Sequence, residues 1–433
     1  MENKPIKAKE RDVIIQSLKA GVVPRNGIHH IQVGRANEIS ALLKDIERIS
    51  SGGSSIRFII GDYGSGKTFF LNLIRTIANE KKCVATTADL SPDRKLFSTN
   101  GQARLLYSEL MRNIAIRTKP EGGALPIIIE RFISDSLTVA KNENKPPEVI
   151  IHDKLQLISE MVGGFDFADV IAAYWKGYDT CNDTLKSDAL KWLRAEFTTK
   201  TDARNALGLR TIIDDSNFYN MLKIFALFVK LSGFNGLIIC LDEMVNLFKI
   251  SNTQSRNSNY EHILTILNDS LQGNSSGLGF IMGGTPEFLY DSRRGLYSYN
   301  ALQSRLAENT FASKGFVDYS GPVIKLANLT PEDLYVLLIN LRHVFAYGDQ
   351  DKYLLPNEAL SQFLEHCHDR IGEAYFKTPR NTIKSFLDLL SILEQNPNVS
   401  WHQLIGDVKI VAEDSEPNID DSDDDFQLTN FKL

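Results

Sequence analysis

The residues with the clearest chemical meaning form a glycine-rich loop that ends in a lysine and a threonine. The loop reads Gly61-Asp62-Tyr63-Gly64-Ser65-Gly66-Lys67-Thr68. Glycines let successive backbone N–H groups point at one centre, and the N-terminus of a following helix adds positive charge. At this spacing the lysine reaches the β- and γ-phosphates of a nucleotide, and the threonine hydroxyl ligates Mg²⁺. We therefore predict that the loop and the adjacent Phe69 bind ATP and Mg²⁺, with an ordinary glycine-rich turn as the alternative.

A second chemical signal is a pair of acids after an apolar run, Leu237-Ile238-Ile239-Cys240-Leu241-Asp242-Glu243. The carboxyl ends of parallel strands are where α/β folds bind their ligands. Combined with the glycine-rich loop, the pattern predicts that Asp242 and Thr68 hold Mg²⁺. It also predicts that Glu243 polarises the attacking water as general base, with Lys67 stabilising the phosphates. Alone, such a run is often only the end of a strand.

Further catalytic candidates follow the next apolar run and continue towards the C-terminus. Thr285 is placed to contact the γ-phosphate or the attacking water. Arginines supplied to a neighbouring subunit stabilise charge during phosphoryl transfer, and Arg305 is the first candidate, followed by Arg294 with Arg293. Arg380 follows a proline that favours a helix start, so it could reach the γ-phosphate from a lid helix. The alternatives are a strand-ending turn for the threonine and solvated or salt-bridged arginines.

Two histidine-bearing segments and one arginine-bearing connector need separate interpretation. Val33-Gly34-Arg35 precedes an amphipathic helix, and we predict that this connector surrounds the adenine, with Arg35 among the nucleotide-binding residues. His366-Cys367-His368 has the composition of a metal site, but adjacent residues on a helix point in different directions, so no metal site is predicted there. His29-His30 is interpreted as part of a plain loop, with a position near the nucleotide as the alternative.

The elements that position these residues alternate along the chain. Apolar runs near 56–60, 83–89, 236–241 and 278–284 are typical of buried parallel strands, and helical periodicity separates them. This alternation predicts an α/β fold, an AAA+-type P-loop NTPase core with a parallel sheet. An N-terminal helix is expected over 8–24. We predict a core formed by 1–97 and 231–325, a large helical insertion at 98–230, a C-terminal helical lid at 326–412 and a disordered acidic tail at 413–433.

Composition excludes several classes of protein. The 433 residues contain no run of 18 apolar residues and no apolar segment typical of a secretory signal, so no membrane association is expected. Four cysteines without C-x-x-C spacing are typical of reduced thiols in a cytoplasmic protein.

The net charge is −6, but 413–433 contain eight acids and one lysine, leaving 47 basic and 46 acidic residues elsewhere, or +1. That neutral body gives no strong electrostatic argument for tight DNA binding.

Several longer stretches carry a resemblance to a known family. They are Ala20–Pro24, Gly61–Phe69, Trp192-Leu193-Arg194, Leu241–Leu247, Arg294–Tyr299 and Ser304-Arg305-Leu306. These stretches resemble the P-loop ATP-binding proteins of bacterial BREX phage-defence systems, the BrxC/BrxD family, and its compact BrxD type in particular. The resemblance implies a bacterial cytoplasmic AAA+-type ATPase that forms oligomers and works with other defence proteins near DNA. It carries Lys67, Thr68, Asp242 and Glu243 over as nucleotide-site residues.

The motifs and the resemblance together predict a Mg²⁺-dependent ATPase. We expect its nucleotide state to be coupled to homo-oligomer assembly and to engagement of double-stranded DNA or other phage-defence proteins. Turnover could be low in the absence of such a partner. The alternative is a nucleotide-gated scaffold with little turnover, which assembles a defence or DNA-modification complex. Which arginine acts in trans, and what the 98–230 segment does, stay open at this point.

Overall fold

A parallel sheet lies at the centre of the protein. The computed structural model describes residues 5–309 and 318–407, so the predicted acidic tail at 413–433 lies outside the described residues. The strands are β1 (Ser55–Ile60), β2 (Val84–Asp89), β3 (Leu237–Asp242), β4 (Leu278–Gly284) and β5 (Val323–Lys325). They lie in the order β2-β3-β4-β1-β5, and every pairing is parallel. The predicted α/β fold with a parallel sheet is confirmed.

The central strands are continuous apolar runs because both faces of the sheet are covered. β1, β3 and β4 are buried along their whole length. Alternate residues face opposite sides. On one side, Ile59 packs with the apolar faces of α2 (Ala36–Ser50) and α3 (Lys67–Glu80). On the other side, Phe58 packs into a larger core that includes α10 (Phe218–Leu231) and α12 (Thr253–Gln272).

The segment between β2 and β3 is helical and shares the core of the sheet. Its helices before α10 are α4 (Gln102–Arg112), α5 (Leu125–Glu143), α6 (Pro147–Ser159), α7 (Gly164–Asp179), α8 (Asp183–Leu193) and α9 (Lys200–Leu207). Phe132 on α5 and Trp192 on α8 belong to the same buried cluster as Phe280 on β4. The apolar faces of these helices therefore extend the sheet's core outward, while the domain boundaries inferred from the sequence stay a prediction.

A separate core joins the N-terminal helix to the C-terminal helices. The elements are α1 (Ala8–Lys19), α15 (Pro331–Phe345), α16 (Asn357–Ile371), α17 (Ala374–Lys377), α18 (Arg380–Gln395) and α19 (Trp401–Asp407). Ile14 of α1 is buried with Leu338 and Phe386 in this core. Arg11 adds a guanidinium 4.4 Å from the centre of the Phe345 ring. The helix expected to run to residue 24 ends at Lys19, because Gly21 adopts a left-handed φ of 74°.

Shorter elements complete the described chain. They are α11 (Val245–Phe248), α13 (Pro286–Tyr290), α14 (Asn300–Leu306) and 3₁₀ turns at Ile28–His30, Leu296–Ser298 and Gln350–Lys352. Within the described ranges, no helix combines the length and the apolar character needed to cross a bilayer.

Candidate nucleotide-binding site

The two predicted nucleotide motifs meet at the carboxyl edge of the sheet. Thr68, in the first turn of α3, donates from Oγ1 to Oδ2 of Asp242 at 2.6 Å, although 174 positions separate them in sequence. Oδ1 of Asp242 accepts from the backbone N–H of Glu243 at 2.9 Å. β1 leads into the glycine-rich loop and β3 ends in the acid, and parallel strands place both ends at one edge. A hydroxyl beside a carboxylate supplies the hard oxygen ligands that Mg²⁺ prefers, so the donor set fits this ion.

The glycine-rich loop has the backbone shape that a phosphate group requires. Gly64 and Gly66 have φ values of 79° and 81°, in the left-handed region that glycine adopts without a steric penalty. A Cβ at Gly61 would lie 2.6 Å from Oγ of Ser65. That hydroxyl is buried, and no group in the described part of the chain forms a hydrogen bond with it. The loop leads directly into α3, whose N-terminal N–H groups attract anions, so it forms a cradle that fits a phosphate.

Lys67 lies between this cradle and the acids. Its Nζ donates to the carbonyl oxygens of Gly61 and Asp62, each at 2.8 Å. Burial lowers the pKa of Lys67, and the nearby carboxylates of Asp242 and Glu243 oppose that shift. The ammonium group is thus held within the loop by hydrogen bonds to carbonyl oxygens, and a phosphate oxygen would accept from the same group more strongly.

Glu243 follows Asp242 in a strained backbone conformation. Its φ of 56° is uncommon for a residue with a side chain. The side chain is solvent-accessible but lines the same cavity as the loop. Partial burial raises the pKa of Glu243, and the neighbouring carboxylates of Asp242 and Asp89 add to the shift. A carboxylate with a raised pKa is a stronger base while it is still ionised, which suits proton transfer from water.

Asp89 is a neighbour of the site that the sequence analysis missed. It ends β2 directly beside Asp242, its partner in the strand register. Burial, followed by the charge of Asp242, raises the pKa of Asp89. A single acid at a strand end is too common to be singled out from sequence alone, so the signal was present without being specific.

The end of β4 brings a glycine and a threonine to the same edge. A Cβ at Gly283 would lie 2.6 Å from Oδ1 of Asp242, so this position leaves room for the carboxylate. Thr285 follows the strand and caps α13, where its Oγ1 accepts from the backbone N–H of Phe288 at 3.4 Å. Thr285 therefore lies at the carboxyl edge of the sheet, as predicted, and its hydroxyl caps the N-terminus of α13. Its contact with a γ-phosphate or water stays a prediction.

A cavity extends from the loop to the C-terminal helices and has two different ends. The polar end is formed by Gly64–Thr68 and Glu243. The apolar end combines the segment after α1, the connector before α2 and residues near or within the C-terminal helices. Its apolar residues are Leu18, Val22, Val23, Ile31, Val33, Phe69, Leu329, Leu337 and Ile383. A phosphate-binding end next to an apolar pocket is the arrangement that a purine nucleotide requires.

Arg35 lies against the glycine-rich loop. It precedes α2 with a left-handed φ of 60°, which turns its guanidinium back towards the loop. Its Nη2 donates to the carbonyl oxygen of Ser65 and, at 3.4 Å, to that of Ala327. Burial lowers the pKa of Arg35 to about 10, against the opposing charges of Glu38 and Asp333. The connector is thus in contact with the predicted phosphate site as well as with the apolar end of the cavity.

Arg380 contacts a different residue of the loop. It is the first residue of α18, directly after Pro379, as its sequence context predicted. Its Nη1 donates to Oη of Tyr63 at 3.3 Å, and the guanidinium lies 5.8 Å from the centre of that ring. A Cβ at Gly64 would lie 2.9 Å from Cγ2 of Thr378, so the segment just before α18 also packs directly on the loop.

The three remaining candidate arginines lie away from the cavity. Arg294 donates to the carbonyl of Ile250 at 3.4 Å, and Arg293 is exposed. Arg305 is exposed on α14 and donates from Nε to Oδ1 of Asn268 at 2.9 Å. None of these three arginines lines the cavity that the described residues form. The structure does not bring them to the chain's own phosphate site, and their action on a neighbouring subunit stays a prediction.

The fold and this site define a P-loop nucleotide-binding protein. The family model described as BREX system ATP-binding protein BrxC/D matches residues 6–409, and the chain belongs to that family. The resemblance of the sequence motifs to the BrxC/BrxD family is confirmed, while the closer likeness to its BrxD type stays a prediction. The protein is an ATP-binding protein of the BREX system. No curated protein sequence shows a significant match to the chain.

Proposed function

We propose that this protein binds ATP with Mg²⁺ at the glycine-rich loop and hydrolyses it. Its nucleotide state would control homo-oligomer assembly and engagement of double-stranded DNA or other phage-defence proteins. The supporting observation is the 2.6 Å hydrogen bond between Thr68 and Asp242, which joins the loop to the acidic strand end. The two motifs thereby lie together at one edge of the sheet. They supply the backbone N–H donors of the loop, the Glu243 carboxylate and the Lys67 ammonium, which are the groups that phosphoryl transfer needs.

The role of each residue follows from its position. The N–H groups of the loop bind the β-phosphate, and the Lys67 ammonium reaches the β- and γ-phosphates. Thr68 and Asp242 would hold Mg²⁺, which withdraws charge from the phosphate oxygens when bound. Glu243 accepts a proton as the water oxygen forms its bond to the γ-phosphorus. The bond from that phosphorus to the β–γ bridging oxygen breaks, and ADP and inorganic phosphate leave.

The base would occupy the apolar end of the cavity. The walls there come from the segment after α1, including Val23, from α18, including Ile383, and from Ile31, which directly follows the 3₁₀ turn Ile28–His30. A nucleotide bound in this way contacts the sheet's core through its phosphates and the separate α1–lid core through its base. Binding would therefore stabilise one relative placement of the two cores, and hydrolysis would release it.

Assembly is proposed from the arginines that the cavity leaves outside. Arg305 is exposed and is attached to its own chain by hydrogen bonds to Asn268 and to the carbonyl of Ala301. Such contacts at a solvent-exposed position are weak and exchange readily. We propose Arg305 as the first candidate, and Arg294 as the second, for the arginine that reaches the phosphates of an adjacent subunit.

The test is ATP hydrolysis by the wild-type protein and by Glu243→Gln, with and without double-stranded DNA, while light scattering follows the mass. Glu365→Gln, at an exposed position on α16, is the matched control. The proposal is supported if Glu243→Gln loses turnover but still binds ATP, while Glu365→Gln keeps wild-type turnover. Stimulation of wild-type turnover by DNA supports coupling of hydrolysis to DNA engagement. ATP-induced assembly without turnover by the wild type would refute hydrolysis and establish a nucleotide-gated scaffold.

A further inference from the structure

Three side chains of types that bind metal ions converge close to the nucleotide cavity, and none of them lines it. Glu10 lies on α1, and His29 and His30 lie in the 3₁₀ turn Ile28–His30. One ligand atom from each residue lies within 4.8 Å of the other two. Oε1 of Glu10 is 3.5 Å from Nε2 of His30, and the two imidazole centroids are 4.0 Å apart. In the part of the chain that the structure describes, this is the one group of three potential ligands this close together.

The backbone holds the turn firmly against α1. Gly27, just before the turn, has a left-handed φ of 72°. A Cβ there would lie 2.7 Å from Cδ1 of Ile14 and 3.0 Å from Cγ of Glu10, so the close approach requires glycine. Ile28 is 1% exposed, which fixes the turn in the core, and the N–H of His30 donates to the carbonyl of Gly27 at 3.0 Å. The donor atoms therefore belong to a preformed arrangement of two packed segments.

The donor set selects the class of ion. Two imidazole nitrogens and one carboxylate oxygen suit Zn²⁺ and related transition-metal ions, whereas Mg²⁺ prefers oxygen alone. Bonds of about 2.0–2.2 Å to a tetrahedral ion place ligand atoms about 3.3 Å apart. The separations, at most 4.8 Å, must therefore shorten by no more than about 1.5 Å. Rotation of three partly exposed side chains achieves this, and water fills the fourth position.

We propose that Glu10, His29 and His30 bind one transition-metal ion of the Zn²⁺ class. The site joins α1 to the 3₁₀ turn Ile28–His30, which lies between α1 and α2. Both segments continue into the apolar end of the nucleotide cavity, through Leu18 on one side and Ile31 on the other. The ion thereby fixes the separation of these two walls. This consequence for the nucleotide rests on the proposed function, whereas metal binding itself does not.

The experiment measures Zn²⁺ binding to the full chain in the absence of nucleotide. Chelator-treated protein is titrated with Zn²⁺ in a calorimeter, and Co²⁺ is added to a second sample to record its visible absorption. We expect the wild type to bind one Zn²⁺ more than the double variant His29→Asn/His30→Gln, and to give an intense tetrahedral Co²⁺ band that the variant lacks. Zn²⁺ should raise the Tm of the wild type only.

Matched variants separate this site from others. His152→Gln, at an exposed position on α6, should keep the additional Zn²⁺. Glu10→Gln changes only one ligand atom and should lose it even if the double variant folds poorly. Asp242→Asn removes the proposed Mg²⁺ ligand and should leave Zn²⁺ binding unchanged, so that a failure of the nucleotide proposal is distinguishable. Equal Zn²⁺ binding by the wild type, Glu10→Gln and the double variant would overturn the inference.

Discussion

A single methyl group at Gly283 should displace the carboxylate on which the proposed Mg²⁺ site depends. Gly283 lies on β4, beside Asp242 on β3. A Cβ added there would lie 2.6 Å from Oδ1 of Asp242 and 3.0 Å from Cδ1 of Leu71. Ordinary van der Waals contact begins near 3.4 Å, so Gly283→Ala requires a movement of about 0.8 Å between the Cβ and that oxygen. The strand backbone is buried and paired on both sides, which leaves the carboxylate as the group that moves.

The size of the effect follows from this displacement. Oδ2 of the same carboxylate accepts from Thr68 at 2.6 Å, and a shift of about 0.8 Å would lengthen that contact beyond a good hydrogen bond. Overpacking in a core usually costs about 1–3 kcal/mol of stability. Misplacing a reacting group by about 1 Å can lower a rate on the order of 100-fold, or about 2.7 kcal/mol of transition-state stabilisation. ATP binding should change little, because the loop and Lys67 are untouched.

The assay compares kcat and the ATP dissociation constant of Gly283→Ala with those of Gly279→Ala. Gly279 lies on the same strand and the same face, and its Cβ would meet Cδ1 of Ile49 at 2.4 Å. That atom belongs to a buried isoleucine near the end of α2, and Gly279 lies four residues before Gly283 on the strand, so the control carries a similar steric clash without contacting Asp242. Thermal melting confirms that both variants fold. Equal kcat values in the two folded variants would refute the argument that the position of Asp242 limits turnover.

The other predictions concern Lys67, the proposed trans arginine Arg305 and the proposed general base Glu243. Lys67→Ala should abolish or greatly weaken ATP binding in calorimetry, and unchanged affinity would contradict the assignment of the loop. Arg305→Ala should reduce turnover and spare binding; activity recovered on mixing it with Lys67→Ala indicates action in trans, and inactive mixtures favour a role in cis. Because burial and Asp242 raise the pKa of Glu243 above its usual 4.5, turnover should fall as pH drops through that raised value, since the protonated carboxyl cannot accept a proton. A pH–rate profile whose acid limb lies at 4.5 or below would remove this role from Glu243.

The sequence allowed prediction where the pattern is local. The glycine-rich loop, the strand before it and the helix after it are contiguous, and each residue type there has a direct chemical reason. Asp242 was recognisable because a buried apolar run ends in it. The parallel α/β fold followed from alternating strand and helix signals and is confirmed. β5 was not predicted, since Val323–Lys325 is too short to show a periodicity.

The apolar end of the cavity could not be predicted for a different physical reason. Val23, Leu337 and Ile383 come from distant parts of the chain, and each has the pattern of an ordinary core residue. Only the packing of α1 on α15 and α18 brings them together. The cluster around Glu10 was hidden in the same way, because His29-His30 lacks a ligand at a recognisable spacing, and its third member is on another element.

The position of α1 determines which part of the molecule should move with the nucleotide. This helix begins the described chain, yet its apolar face is buried with the C-terminal helices and not with the sheet. On the sheet side, the loop meets this unit through the hydrogen bond of Arg380 to Tyr63 and the contact of Thr378 with Gly64, and Phe69 of α3 packs against the edge of this core. These few contacts are worth about 1 kcal/mol each, and the one partly buried ring adds about 1.5–3 kcal/mol at most, less than the apolar cores on either side. We therefore expect α1 and the C-terminal helices to move as one body relative to the loop, with the base bound to one body and the phosphates to the other.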